Sequence, residues 1–186
     1  MFHTPNIDAT RIQAEAMGIP YISWDTAGEK ERELDDLKQA MSYARDAFSL
    51  DGIVTGAIES VYQAVRVQKI CAELGMCCFN PLWQTDQLEY LGRLLDDGFE
   101  TVIVGVYAYP LEERWVGRTM DAGCIRELAL LEEKYRINPS GEGGELETFV
   151  IDGPLFEKRI RIVSSHCSYD NYAGALEIGS MELEDK

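Results

Sequence analysis

Residues 138–148 read Asn-Pro-Ser-Gly-Glu-Gly-Gly-Glu-Leu-Glu-Thr, and this stretch joins two kinds of secondary-structure pattern. A helical pattern ends just before it, and a strand pattern begins inside it. Six of its residues stand out: Gly141, Gly143, Gly144, Glu142, Glu145 and Glu147. The glycines allow a positive φ and close approach of a ligand to the backbone. The carboxylates suit a metal ion, an ammonium group or a cationic substrate. A solvated acidic turn is the alternative, because glycine marks turns everywhere.

The composition describes a folded, acidic chain. It has 186 residues, 46% of them hydrophobic, and 33 acidic residues against 17 basic ones give a formal net charge of −16. Such a surface repels nucleic acid and anionic membranes, so we expect neither as a partner. It favours a cationic ligand or a basic partner, with plain solubility as the alternative. No apolar run approaches the roughly 20 residues of a membrane-spanning helix.

The five cysteines indicate a reducing compartment. Their number is odd, Cys77 and Cys78 are adjacent, and no Cys-x-x-Cys pair occurs, so we predict neither a disulfide framework nor a zinc site. Reduced, mostly buried thiols are typical of a cytoplasmic protein. Residues 1–6 lack the basic and apolar regions of a signal peptide. We therefore expect a cytoplasmic protein with no metal-ligand set of its own.

The first half of the chain shows an alternating α/β pattern. We predict helices at 8–17, 29–48 and 59–74 and strands at 19–22 and 76–79. Residues 51–58 read as a short buried strand that runs into a loop. The longest helix is strongly amphipathic, because apolar residues recur three and four positions apart. Strands that alternate with helices form a parallel sheet with right-handed crossovers. Ligands bind such sheets at the carboxyl ends of the strands.

The pattern changes after Pro81. We predict helices at 84–97 and 123–136, a central strand at 101–108, and three further strands at 146–151, 159–164 and 175–181. The last three strands follow one another without a helix, which is typical of an antiparallel meander. We therefore expect an α/β domain over residues 1–82 and a smaller α+β domain over residues 83–186. The last five residues should fray.

Residues 51–67 form a strand–loop–helix joint. Gly56 would let a ligand reach the backbone, and the N–H groups that open the next helix make an anion site. Arg66 lies two turns along that helix. An ordinary structural joint is the alternative. Elsewhere, Trp115 in a polar stretch fits either an exposed aromatic wall for a cationic ligand or a core anchor. His166, in a strand pattern, suits a structural or solvent-exposed role.

Several of these motifs resemble the diphthine–ammonia ligase family, ATP-dependent amidases that complete the diphthamide modification of translation elongation factor 2. The motifs are Gly-Glu-Gly-Gly-Glu-Leu-Glu-Thr at 141–148, Gly-Ala-Ile at 56–58 followed by Tyr62, Gln63 and Arg66, His-Thr at 3–4, Asn-Pro-Leu-Trp at 80–83, and Trp-Val-Gly-Arg at 115–118.

The resemblance implies a fold and a reaction. The fold would be a Rossmann-like parallel sheet of the adenine nucleotide alpha hydrolase (PP-loop) type, truncated at its N-terminus and followed by the smaller α+β domain. ATP, with Mg²⁺, would activate the carboxylate of diphthine on elongation factor 2 as an acyl-adenylate. Ammonia would then form the amide, with AMP and pyrophosphate as the other products. A homodimer is left open.

The resemblance also assigns residues to three groups. The nucleotide side would be His3, Gly56, Ala57, Ile58, Tyr62, Gln63 and Arg66. The substrate side would be Trp83, Trp115, Gly143, Gly144 and Thr148. The catalytic carboxylates would be Glu142, Glu145 and Glu147.

One family motif is absent from the 186 residues. PP-loop enzymes begin with a strand and a Ser-Gly-Gly-x-Asp-Ser loop that holds the pyrophosphate part of ATP. Neither this loop nor a Gly-x-x-x-x-Gly-Lys loop occurs. We expect truncation by about one βαβ unit, in preference to a reduced protein that lost the phosphate cradle. A non-catalytic nucleotide- or cation-binding protein and an acidic interaction module stay open as alternatives to the enzyme.

Overall fold

The computed structural model describes residues 6–26 and 33–186. Contacts divide the described residues into two compact units. The first unit is Tyr21–Thr85, and the second combines the segment that ends at Pro20 with Asp86–Lys186. Within the described ranges, no helix is both long and apolar enough to cross a bilayer.

The chain forms five α-helices and six strands in the part that the structure describes. The helices are α1 (Thr10–Ala16), α2 (Glu33–Phe48), α3 (Val61–Leu74), α4 (Gln87–Asp96) and α5 (Ala122–Tyr135). The strands are β1 (Gly52–Val54), β2 (Cys77–Phe79), β3 (Glu100–Val106), β4 (Leu146–Asp152), β5 (Lys158–Asp170) and β6 (Ala173–Asp185). Short 3-10 turns lie at Ile7–Ala9 and Glu113–Trp115.

In the first unit, α2 and α3 pack against a two-stranded parallel sheet of β1 and β2. Ile53 and Cys78, which pair in register, lie against the core with Met41 of α2 and Ile70 of α3. Successive strand residues point to opposite faces. The described residues leave the other face of this sheet largely uncovered: Phe79 on it is 62% exposed.

In the second unit, an antiparallel sheet has the strand order β4-β3-β6-β5. Residues 101–106 of β3 are all buried, because both faces of this strand are covered. On one face Ile103 packs in a core with Leu128 of α5. On the other face Val104 packs in a core with Ala16 of α1. This double burial explains why β3 reads as a continuous apolar run rather than an alternating one.

A long hairpin of β5 and β6 extends from this sheet. The two strands pair along their whole length, but β6 pairs with β3 only at Gly105 and Val106. Farther along β6, the side chain of Asn6 makes backbone hydrogen bonds of the kind that a neighbouring strand would make. Its amide donates to the carbonyl of Leu176 and accepts from the N–H of Ile178, both at 2.8 Å.

The predicted helices are confirmed, with small shifts at their ends. Most predicted strands are confirmed as strands, but β5 and β6 are longer than predicted and end at Asp170 and Asp185. For the predicted helix at 29–48, residues 33–48 are helical and residues 29–32 lie outside the described residues. The domain limits at residue 82 stay a prediction. The structure is of mixed α/β class, with one parallel and one antiparallel sheet.

Three predictions about secondary structure are wrong. The apolar segment at 19–22 forms no strand, and Ile19 and Tyr21 are 51% and 40% exposed. The meander is wrong because β4 pairs with β3 and not with β5. The chain end does not fray: β6 continues to Asp185, and the Lys186 ammonium donates to the carbonyl of Gly153 at 2.9 Å.

All five cysteines are free. Cys71 and Cys124 are buried, and burial raises the pKa of each thiol to about 11, so both stay protonated at neutral pH. Cys77 and Cys167 are exposed, which corrects the prediction of mostly buried thiols.

Trp115 is a core residue, 1% exposed, and not an exposed aromatic wall. The guanidinium groups of Arg118 and Arg114 lie 4.7 and 5.2 Å from its ring centroid. The carboxylate of Glu127 accepts a hydrogen bond from each of them, at 2.8 and 2.7 Å. These hydrogen bonds hold the pKa of Glu127 at about 2, well below its ordinary value of 4.5.

The lowered pKa of Glu127 predicts a specific pH dependence of stability. Since the folded-state pKa is depressed, the Glu127 contribution is fully present above about pH 4.5 and is lost as the pH falls towards about 2. Glu127→Gln should therefore lower the free energy of unfolding at pH 6 and make little difference near pH 2. Urea titrations between pH 2 and pH 6 measure the free energy of unfolding. Glu133→Gln on the exposed face of α5 is the control. A difference from the parent that does not change with pH would contradict the ion-pair account.

Candidate functional site

The acidic glycine-rich loop, residues 138–145, connects the end of α5 to the start of β4 in the second unit. Two short turns shape it: the N–H of Gly141 donates to the carbonyl of Asn138 at 2.9 Å, and the N–H of Gly144 donates to that of Gly141 at 2.8 Å. Gly141 has φ +80°, and a Cβ there would collide with the carbonyl oxygen of Leu146. Glycine is therefore required at this position.

A chain of four polar side chains holds the loop in place. The hydroxyl of Ser140 donates to Oε1 of Gln87 at 2.7 Å, and Nε2 of Gln87 donates to Oδ1 of Asn138 at 3.0 Å. Nδ2 of Asn138 then donates to Oε1 of Glu145 at 2.6 Å, and the backbone N–H of Asn138 donates to the same oxygen at 3.0 Å. Every donor in this chain points towards Glu145, so each bond polarises the next one and stabilises the carboxylate charge.

Gly143 makes this arrangement possible. A Cβ on Gly143 would lie 2.5 Å from Oε1 of Glu145 and 2.6 Å from Nδ2 of Asn138. Both distances are below any normal contact, so a larger residue would have to push the two side chains apart. The glycine is needed here for space, since its backbone is not among the positive-φ positions.

Glu145 also carries an unsatisfied atom. Its Oε2 is buried and has no hydrogen-bond partner among the described residues. A buried polar oxygen without a donor costs free energy, because it has left water without compensation. The loop therefore holds one carboxylate oxygen fixed by donors and a second one able to accept a hydrogen bond.

Two tyrosines lie beside the other acidic residues of the loop and of β4. The Tyr107 hydroxyl lies 3.4 Å from Oε2 of Glu147, and its backbone N–H donates to the carbonyl of Glu145 at 2.8 Å. Burial raises the pKa of Tyr107, and the charge of Glu147 adds to the rise. Burial and then the charge of Glu142 raise the pKa of Tyr90 in the same way. Both phenols therefore stay protonated and able to donate.

In the first unit, the carboxyl ends of β1 and β2 meet at a polar joint. The N–H of Thr55 donates to the carbonyl of Phe79 at 3.0 Å, and the Thr55 hydroxyl bonds the side-chain oxygen of Asn80. Gly56 next to it is exposed, and a Cβ built on it meets nothing within 4 Å. Ser60 caps α3 by accepting from the N–H of Gln63 at 3.4 Å.

The remaining nucleotide-side candidates of this unit differ in exposure. Ala57 and Ile58 are buried, at 6% and 2% exposure, so only their backbone can serve a ligand. The guanidinium of Arg66 lies 3.5 Å from the ring centroid of Tyr62. Trp83 is half-buried in the turn after β2. His3 lies outside the described residues.

Comparisons with known proteins agree with these motifs. The diphthamide synthase N-terminal domain matches residues 1–78, and the diphthamide synthase C-terminal domain matches residues 86–183. The chain is 34% identical over 203 residues to the diphthine–ammonia ligase of Danio rerio, covering 100% of this chain and 79% of that protein. It is 32% identical over 203 residues to the Homo sapiens diphthine–ammonia ligase, covering 100% and 76%. The chain belongs to the diphthine–ammonia ligase family.

The alignment to the Schizosaccharomyces pombe diphthine–ammonia ligase is shorter and has a higher sequence identity. It is 40% identical over 111 residues, which is 60% of this chain and 18% of that protein. Family membership rests on the two alignments over the full chain and on the family models of both domains.

Within this member of the diphthine–ammonia ligase family, the predicted site residues fall in both units. Glu142, Glu145, Gly143 and Gly144 share the loop, while Glu147 and Thr148 lie on β4, where Thr148 is exposed. The nucleotide-side candidates from Gly56 to Arg66 lie in the first unit. No group of three or more His, Cys, Asp or Glu side chains in the described ranges is arranged to hold a metal.

Sequence reasoning missed three residues of the loop site: Gln87, Asn138 and Tyr107. Gln87 is 8% exposed at the first position of α4, where a polar residue normally faces water. Its hydrogen bonds to Asn138 and Ser140, which are more than 50 positions away in the sequence, are consistent with this burial. Tyr107 directly follows a buried central strand, and that position at a strand end was the one signal that could have identified it.

The crowding at Gly143 predicts a local cost for a single methyl group. Gly143→Ala should break the contact between Asn138 and Glu145 and lower the free energy of unfolding by about 1–3 kcal/mol. Gly92→Ala is the matched control, because a Cβ there meets nothing within 4 Å and the residue lies inside α4. That change should instead stabilise by about 0.5–1 kcal/mol. Equal midpoints for both variants in chemical denaturation would show that the loop is not closely packed at Gly143.

Proposed function

We propose that this protein amidates the carboxylate of diphthine on translation elongation factor 2, with ATP and ammonia, releasing AMP and pyrophosphate. Relatives at 34% and 32% identity over the full chain bear the name diphthine–ammonia ligase. The observation that carries the proposal is the loop at 138–145, where glycines and a directed hydrogen-bond chain hold an acidic site. A cytoplasmic location fits this substrate and is part of the proposal.

Glu145 has the central role in this proposal. The directed donors fix Oε1, and Oε2 is left to accept an N–H of ammonia or ammonium. As the nitrogen attacks the activated carbonyl carbon, the new C–N bond forms and the bond to AMP breaks. The proton that leaves the nitrogen goes to the Glu145 carboxylate. A positioned base of this kind contributes typically 10²–10⁴-fold to a rate.

Glu142 and Glu147 would supply negative charge for the cationic end of the substrate. Tyr107 and Tyr90 beside them would be neutral donors, because their pKa values are raised. Gly143, Gly144 and Thr148 would admit the substrate to the loop and the exposed start of β4. Trp83 is proposed as a substrate contact. Trp115 is buried, so we propose that it supports the site through core packing and does not contact the substrate.

The first unit would take the nucleotide. In a PP-loop fold, which we propose for this unit, the adenylate lies at the carboxyl ends of the strands. Gly56 is open there, and the backbone of Ala57 and Ile58 lies beside it. Tyr62, Gln63, Arg66 and His3 complete the proposed set. Magnesium is usually held by one or two carboxylates together with phosphate oxygens, so Mg²⁺ would enter with ATP.

A second function remains open, that of a non-catalytic nucleotide- or cation-binding protein. The observation that favours it is the exposed Gly56 at the carboxyl ends of β1 and β2, which a ligand could reach whether or not a reaction follows. The two functions differ in one product. Amidation releases AMP, whereas a binding protein leaves ATP intact.

The proposal predicts that two isosteric changes in the loop stop amidation. Glu145→Gln and Glu147→Gln should each lower the rate by roughly a hundredfold or more, because a proton acceptor or a charge is lost. Stability should change little, since an amide oxygen can still accept from Asn138. The assay incubates the protein with ATP, Mg²⁺, ammonium and diphthine-bearing elongation factor 2, and mass spectrometry follows the amide.

Glu133→Gln, the same change on the exposed face of α5, is the control and should retain the parental rate. Parental rates for both loop variants would show that the loop is structural. Absence of both amide and AMP with the parental protein would support the binding function instead.

A further inference from the structure

Three tyrosines of the second unit meet at its surface, and we call them the tyrosine corner: Tyr109, Tyr135 and Tyr172. Tyr109 follows β3, Tyr135 ends α5, and Tyr172 lies in the turn between β5 and β6. The ring centroids of Tyr109 and Tyr135 are 5.2 Å apart at 86°, and those of Tyr109 and Tyr172 are 5.0 Å apart at 83°. Three elements distant in sequence thus place aromatic rings at near right angles.

The tyrosine corner is not part of the core. Tyr109 is 57% exposed and Tyr172 is 37% exposed, so ring surface that could be buried faces solvent. Exposed apolar clusters of this kind commonly mark a binding site.

The turn that carries Tyr172 is itself unusual. Asn171 has φ 46° and Tyr172 has φ 63°, so both turn residues adopt the left-handed conformation. Two-residue hairpin turns of this type strongly prefer glycine at the second position. A tyrosine there is strained, and strained backbone is retained mainly where the side chain has a function.

The chemistry of the tyrosine corner suits a cation. Aromatic rings have a negative face, and a cation within about 6 Å of the ring centroid is attracted to it. The ammonium of Lys134 already lies 4.9 Å from the ring centroid of Tyr135. The net charge of −16 and the Glu147 carboxylate beside Tyr107, two residues before Tyr109, add to the attraction.

The three side chains offer ring faces and phenol oxygens, and this composition favours one type of cation. A primary ammonium needs hydrogen-bond acceptors to replace water, whereas a quaternary ammonium has no N–H and needs only polarisable surface. Recognition of quaternary ammonium groups by several aromatic rings is a recurrent use of this interaction.

We propose that the tyrosine corner binds a quaternary ammonium group. The inference rests on the proposed function in one respect: diphthine carries such a group beside its carboxylate, so the tyrosine corner would contact the ammonium group, with Glu142 and Glu147 adding negative charge, while the loop at 138–145 acts on the carboxylate. Binding of the ammonium group itself does not depend on catalysis.

The direct test is a titration of the full chain with choline, followed by the NMR shift of its N-methyl protons, which ring faces move upfield. The control ligand is the uncharged isostere in which carbon replaces the ammonium nitrogen. Choline should bind and the isostere should bind at least several-fold more weakly. Equal affinity for the two would overturn the proposal.

Matched variants locate the site. Tyr109→Leu and Tyr172→Leu should weaken choline binding roughly two- to thirty-fold, whereas Tyr109→Phe should retain it because the ring face is kept. Tyr43→Leu, a similarly exposed tyrosine in ring contact with Trp24 in the first unit, should have no effect. Lys134→Met should strengthen binding, because it removes a competing cation. Unchanged affinity in both leucine variants would contradict the assignment.

The amidation assay separates this proposal from the proposed function. If the parental protein amidates, the leucine variants should raise KM for diphthine-bearing elongation factor 2 and leave kcat nearly unchanged. Amidation with an unchanged KM in both variants would overturn the tyrosine corner alone. Choline binding by a protein that does not amidate would overturn the proposed function alone and support the tyrosine corner.

Discussion

The hydrogen bonds from Asn138 to Glu145 are the interaction on which the proposed site depends. One carboxylate oxygen accepts from both the side chain and the backbone of Asn138, seven residues earlier. This contact closes the loop into a fixed shape and turns the Glu145 side chain inward. Hydrogen bonds to a charged group stabilise by about 1.5–3 kcal/mol, enough to hold a short loop in one conformation.

Residues of the sheet and of α4 in the second unit hold the Asn138–Glu145 contact in place. Strand β3 is buried on both faces, and directly after it the N–H of Tyr107 donates to the carbonyl of Glu145, which holds the loop backbone just before β4. Gln87 connects the loop to α4 by bonding both Ser140 and Asn138. The acidic loop is thus fixed by a sheet and a helix, which is the precision that chemistry on a substrate requires.

Local patterns in the sequence predicted the helices and the central strand, because periodicity reports which face of an element is buried. They also identified the loop by its glycines and carboxylates. These patterns failed where the structure depends on contacts between residues that are distant in the sequence. The segment at 19–22 is apolar enough for a strand but pairs with no strand in the part of the chain that the structure describes. Strand β4 pairs with β3 across 40 to 52 residues of sequence. Gln87 and Asn138 read as ordinary polar residues, because their partners lie far along the chain.

The central claim is that Asn138 and Glu145 act as a coupled pair, and a double-mutant cycle measures this directly. The free energy of unfolding would be measured for the parent, Asn138→Ala, Glu145→Ala and the double variant. The account predicts a coupling energy of about 1–3 kcal/mol, since each single change removes the same bond. Additive effects, with a coupling energy under about 0.5 kcal/mol, would mean that the two residues act independently and that the loop is held by other contacts.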